Sequence, residues 1–337
     1  WPTVDTELID DVTLYSAKLI IPVTGPVIID GAVAIHGDRV VHVGKRRWVL
    51  KALKQEMTAH GTIHERHWDG VLTPGLINAH THLQYSGMVQ VGQGTYDRFR
   101  AWELAFNEVY AEAQKTQPWK QWAEDGARQM VESGTTAAAD IVTDLDAAGA
   151  LASQGMHGIA YWEVMGWHNA EWMEKGRTEL IRQLRRMNEE QLPNLGISPH
   201  APYTLESEPF VDLPDIARQL NMRLHIHLAE TPLEAGTYPP VLTTYSAADW
   251  SDHDWESYRQ LKEVGKGASA IQFVDQLGSL GPDVHIAHGV WANGEDRRIL
   301  RQRGVGVALC PRSNRITNTG KDAPVREYLE EGNLVSV

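Results

Sequence analysis

The chain has 337 residues, a formal net charge of −13, and 15 histidines against a single cysteine. An acidic balance with only short basic runs excludes a phosphate-backbone binder, which needs clustered Lys and Arg. No apolar run reaches the about 20 residues of a membrane span, no signal peptide opens the sequence, and Cys310 has no disulfide partner within the chain, so a cytoplasmic setting is expected.

Residues 12–70 alternate β-rich runs with turns such as Gly37-Asp38, which predicts a small antiparallel sheet. The histidines there (His36, His42, His60, His64, His67) and the basic run Lys45-Arg46-Arg47 read as structural or solvated. From residue 71 the rhythm changes to strand, loop, helix. Strands are expected at 71–79, 135–143, 157–165, 194–199, 223–228, 284–288, 305–310 and 333–337. Helices fall between them, for example at 98–114, 170–190, 294–304 and 323–332, with Gly304 and Gly332 at C-cap positions. Strands alternating with helices in this way predict an α/β fold, a (β/α)8 TIM barrel over 71–337 beside a small β domain over 1–70. The final run GNLVSV reads as an eighth strand begun but unfinished, so a longer native chain is expected. Between the fifth and sixth strands lies a long insertion. Its segment from Thr237 to Arg259 leaves the end of the barrel where active sites lie, and it is expected to line or cover the distal half of the pocket.

The chemistry-bearing residues sit at predicted strand ends. His80 and His82 form a His-x-His pair after an apolar run, and side chains two apart on a strand share a side, so both imidazoles can converge on one ion. His200 ends the fourth strand, and His225, His227 and Glu230 belong to the fifth. His285 and His288 belong to the sixth, and Asn314 follows the seventh. His225 and His285 lie inside their strands and read as core residues. Among the 12 tryptophans, Trp102 and Trp291 are the best candidates for stacking on a ligand; the others read as packing.

The segments PGLINAHTHL, SPHAPYT, HIHLAET and HIAHGV, and the run from CPRSN to the last residue, together resemble the amidohydrolase superfamily. Within it they are similar to the deaminases of adenosine, S-adenosylhomocysteine and guanine. The resemblance implies a barrel beside a β-sandwich to which residues 1–70 contribute the N-terminal part. It further implies His80, His82 and His227 as metal ligands, Glu230 as proton shuttle and His288 as the residue that aligns the attacking water. His200 lies where relatives contact substrate. The relatives' fourth ligand, an aspartate in a Gly-Thr-Asp motif after the eighth strand, has no counterpart before Val337. The binuclear members use a lysine at the end of the fourth strand; here that position leads to His200, so one divalent ion is expected, zinc first and iron as the alternative. A carboxyl beside such an ion can carry protons to a ring nitrogen and to departing ammonia.

HTHLQYSGM with ALCPRSN looks most like the aminodeoxyfutalosine deaminases of menaquinone biosynthesis. The implied reaction is hydrolysis of the 6-amino group of an adenine nucleoside, with Gln84 and Trp102 as further substrate contacts. Alternatives are S-adenosylhomocysteine or methylthioadenosine, guanine, a triazine, or an inactive scaffold of the same fold. The expected partner is a small molecule, with no nucleic acid and no membrane; self-association is left open.

Overall fold

The computed structural model describes residues 8–189, 192, 194–236, 261 and 264–337. The segment Thr237 to Arg259, expected to cover a pocket, lies outside the described residues. Among the described residues no helix is long and apolar enough to cross a membrane. The chain divides into two compact units, the first ending at Gly75 and the second running from Leu76 to Val337.

In the first unit, strands β1 (Ile9–Ile20), β2 (Ile28–His36), β3 (Arg39–Lys45) and β4 (Met57–Leu72) form one sheet in the order β3-β2-β1-β4. The hairpin pairs are antiparallel, but β1 and β4 run parallel, so the sheet is mixed rather than antiparallel throughout. Parallel neighbours need a crossover, and a helix, Arg46–Glu56, supplies part of it. Sequence reading left that helix out. Its apolar Val49 and Leu53 lie four apart on one face and pack with Val12, Leu14, Ala32 and Ala34. The basic run Lys45-Arg46-Arg47 opens it, and Arg46 pairs with Glu65 at 2.6 Å.

The second unit is a barrel. Strands β5 (Leu76–Thr81), β6 (Thr135–Val142), β7 (His157–Val164), β8 (Leu195–Pro199), β9 (Leu224–Leu228), β10 (Val284–His288), β11 (Gly306–Ala308) and β12 (Leu334–Ser336) pair in sequence order, every pair parallel. A backbone bond from Ala79 N–H to Val337 O (3.1 Å) brings the first strand against the last. The expected strand 71–79 is two elements: β4 ends at Leu72, and Pro74 and Gly75 separate it from β5. The expected helix 170–190 is interrupted, with a π-helical turn at Trp172–Gly176 before Arg177–Glu189. Ile197, Ile226, Ile286 and Val307 come from successive strands and are fully buried; on β9 Ile226 alternates with His225 and His227, so this apolar row lies on the other side of the sheet from the histidines and clusters with helix residues such as Phe210 and Leu213.

Candidate metal centre and catalytic pocket

The carboxyl ends of β5, β7, β9 and β10 bring their polar side chains to one mouth. His80 is the penultimate residue of β5, and His82 lies one residue past it. Across the barrel, His227 lies on β9, and its Nε2 sits 3.3 Å from Nε2 of His82. His80 packs edge-on to both, with ring centroids 5.1 Å from His82 and 4.8 Å from His227. His80, His227 and His288 offer nitrogens that all lie within 4.8 Å of one another.

These distances decide whether the cluster suits an ion. Two nitrogens at about 2.0–2.1 Å from one tetrahedral zinc are separated by about 3.3–3.4 Å, the His82–His227 spacing. The Nδ1–H of His227 donates to the His200 carbonyl at 3.0 Å, which leaves the Nε2 lone pair free. His82 Nδ1 has no hydrogen-bond partner among the described residues. Burial holds His82 down to about 3 and His288 to about 4, and lowers His80 and His227 well below the usual imidazole value. Metal binding needs imidazoles in the neutral form, and this pocket supplies it. The imidazole cluster has donors that fit a divalent metal ion, and Glu163, His200 and His227 form a second group of donors within 4.8 Å of one another.

Glu230 stands beside the cluster. Its Oε2 accepts from Tyr203 Oη at 3.1 Å, and its Oε1 lies 3.3 Å from His288 Nε2. Burial pushes its carboxyl up to about 8. The chain holds this carboxyl by a backbone clamp. Ala229 adopts φ 53°, turning the strand end, and the Glu234 carboxylate accepts the N–H groups of Ala229, Glu230 and Thr231, each at 2.9 Å. On β10, His288 itself has φ 77° and Gly289 φ 57°, a left-handed turn that non-glycine residues seldom enter. Tyr328 Oη donates to Gly289 O at 2.8 Å, and a Cβ at Gly289 would come within 2.5 Å of that hydroxyl.

Asn314 fixes the His288 tautomer. Its Nδ2 donates to Leu309 O at 2.7 Å, so its Oδ1 accepts a hydrogen bond from the Nδ1–H of His288 at 2.8 Å. The Nε2 lone pair of His288 therefore faces Glu230.

The cavity above the cluster measures about 420 Å³. His200 and Trp102 both line it, and Trp102 packs against Phe99 and Phe106 with centroids 5.2 and 5.5 Å away. Gln84 does not face it. The chain enters a 3-10 turn at Leu83–Tyr85, which ends strand alternation, and Gln84 is wholly buried with both ends of its amide bonded to Thr143. Trp291 is likewise absent from the cavity wall: its Nε1–H donates to Thr319 O and Lys321 Nζ lies 4.2 Å over its ring.

One pocket residue escaped sequence reading. Glu163, near the end of β7, lies 3.9 Å from both His200 Nε2 and His227 Nδ1, with its Oε1 lacking a hydrogen-bond partner among the described residues. Burial raises it to about 8. Its signal was a lone carboxylate in the otherwise uncharged run GIAYWEVMGW. Tyr203, the partner of Glu230, was missed because it stands in a loop.

A parallel eight-stranded barrel that gathers neutral imidazoles and buried carboxyls at the carboxyl ends of its strands defines the class of barrel hydrolases built around a metal centre. Within that class, residues 71–238 match the Amidohydrolase family, and the chain carries an amidohydrolase-family domain. A 5-methylthioadenosine/S-adenosylhomocysteine deaminase of Moorella thermoacetica is 29% identical over 330 residues, covering 94% of this chain and 67% of that protein. Among solved structures, a zinc-bound adenosine deaminase of Xanthomonas campestris has a TM-score of 0.72 at 21% identity, covering 98% of this chain and 69% of that one. The aminofutalosine deaminase of Helicobacter pylori has a TM-score of 0.74 at 19% identity, covering 96% and 76%. The chain spans between 54% and 67% of the length of the curated relatives it matches.

Proposed function

We propose that the protein is a hydrolytic deaminase that replaces the 6-amino group of an adenine nucleoside with oxygen, with His80, His82 and His227 as metal ligands. The observation that carries this reading is the convergence of the Glu230–His288 pair and the His82–His227 pair at one barrel mouth. A divalent ion of zinc type, when bound there, supplies an activated water at neutral pH. His288, its tautomer set by Asn314, presents a lone pair that holds and orients that water. Glu230, protonated near neutral pH by its burial, gives a proton to the purine ring nitrogen next to the attacked carbon. It then takes one from the water and delivers it to the departing amine, and regains its own from the new hydroxyl as the oxo group forms; Tyr203 keeps the carboxyl in place throughout.

The substrate proposed is an adenine nucleoside carrying a 5′ extension, 6-aminodeoxyfutalosine first. Methylthioadenosine and S-adenosylhomocysteine, named in the Moorella relative, share that plan. The aromatic wall of Phe99, Trp102 and Phe106 suits a purine face. Ammonia release measured across these three nucleosides, adenosine, guanine and a triazine tests the reading. Turnover of at least one adenine nucleoside well above the free base and triazine is expected. Exclusive turnover of guanine or a triazine, or no turnover in a zinc-loaded protein, overturns it.

A further inference from the structure

His80 is held from behind by a second imidazole. Its Nδ1 lies 3.1 Å from Nε2 of His225, with the two rings 4.9 Å apart and tilted by 32°. His225 is on β9, two residues before His227, and is wholly inaccessible. Tyr161 and His285 surround it at 5.1 Å each. By sequence it reads as an ordinary core residue, but an apolar side chain would fill that space without an unpaired polar nitrogen, and Nδ1 of His225 has no hydrogen-bond partner among the described residues.

The direction of this bond matters. A neutral imidazole has one proton for two nitrogens. A His225 that donated to His80 would leave the His80 proton on Nε2, with no lone pair for an ion. A His80 that donates its Nδ1–H keeps the Nε2 lone pair exposed, and His225 then carries its own proton on Nδ1.

We propose that His225 is a positioning residue: its Nε2 accepts the Nδ1–H of His80 and so fixes both the ring orientation and the tautomer that presents Nε2 at the barrel mouth. The inference rests on the reading of the cluster as a metal centre. His227 obtains the same service from the His200 carbonyl and His288 from Asn314. For His80 the strand neighbourhood offers another histidine instead. Partners of this kind typically set metal affinity within a factor of about 10–100.

Two measurements test it. In the metal-free chain, long-range 1H–15N correlation spectra report the His80 tautomer directly; the Nδ1–H form is expected, and an Nε2–H form overturns the proposal. The second is the zinc dissociation constant, read by competition with a chromogenic chelator. His225→Phe keeps the ring shape without an acceptor and should weaken binding about 10–100-fold. His225→Gln, whose Oε1 can accept, should recover most of that loss. A folded H225F that binds zinc as tightly as the unaltered chain, or a Gln variant as weak as the Phe one, overturns it. If H225F does not fold, the tautomer measurement decides alone. Failure of the unaltered chain to take up zinc counts against the metal-centre reading, and the tautomer still tests His225.

Discussion

Replacing Glu230 with glutamine separates proton transfer from every other task of the pocket. The side chains are nearly isosteric, and the contacts around Glu230 can all be kept. The amide oxygen can still accept from Tyr203 Oη, now 3.1 Å from Oε2, and the amide NH2 can donate to the His288 Nε2 lone pair, now 3.3 Å from Oε1. Because Asn314 commits the proton of His288 to Nδ1, this donation needs no change of tautomer. Stability and zinc content should therefore hold, and only the mobile proton is lost. General acid–base catalysis contributes about 10²–10⁴-fold, or about 2.7–5.4 kcal/mol at about 1.36 kcal/mol per decade. The assay is ammonia release at saturating nucleoside, with bound zinc quantified on the same sample. A Glu230→Gln protein that keeps its zinc and turns over within threefold of the parent refutes the shuttle role and sends the search to Glu163, the other buried carboxyl on the pocket wall.

Removing the amide in Asn314→Ala should leave zinc binding intact and lower kcat by about tenfold, the worth of one hydrogen bond of about 1.4 kcal/mol; an unchanged kcat speaks against tautomer control of His288. Trp102→Ala should raise KM for the nucleoside more than it lowers kcat, since the ring is a wall of the cavity; an effect confined to kcat would reassign it. Asp140 offers a pH test of folding. Its Oδ1 accepts from Leu83 N–H, its Oδ2 is buried without a hydrogen-bond partner among the described residues, and burial raises its carboxyl to about 8. The folded value lies above the unfolded one of about 3.9, so its contribution to stability is full below pH ~4 and is lost as the pH rises through about 8, at a slope on the order of 1 kcal/mol per pH unit. Urea midpoints of Asp140→Asn should decline less than those of the parent between pH 5 and 8; parallel curves refute the assignment.

What the sequence disclosed and what it hid follow from the range of the forces involved. That His80, His82, His227, Glu230 and His288 gather at one barrel mouth was legible because strand and barrel topology dictate where strand-end side chains go; the roles expected of them came from the family resemblance. Gln84 was misplaced because strand alternation stops at His82, where the chain turns into a 3-10 segment that no local residue announces. The helix Arg46–Glu56 was hidden because it has no side-chain N-cap bond and no acidic first turn, the usual start signals. Its formation depends on the sheet face that Val49 and Leu53 cover. Glu163 and the bond from His80 to His225 were invisible for another reason. Each acquires meaning only from strands distant in sequence, 145 residues apart for the two histidines.

The left-handed turn at His288 and Gly289 narrows the paths by which this pocket could change. Position 288 must place its side chain from a backbone conformation that β-branched and bulky residues avoid, and position 289 cannot gain a Cβ without displacing Tyr328. Asparagine and aspartate tolerate that conformation, most other side chains do not, so the accessible single-step replacements at 288 are few and polar. A replacement at 288 other than these would have to relax the turn, and any side chain at 289 would have to move Tyr328, which makes this corner of the barrel slower to diversify than the open wall around Trp102.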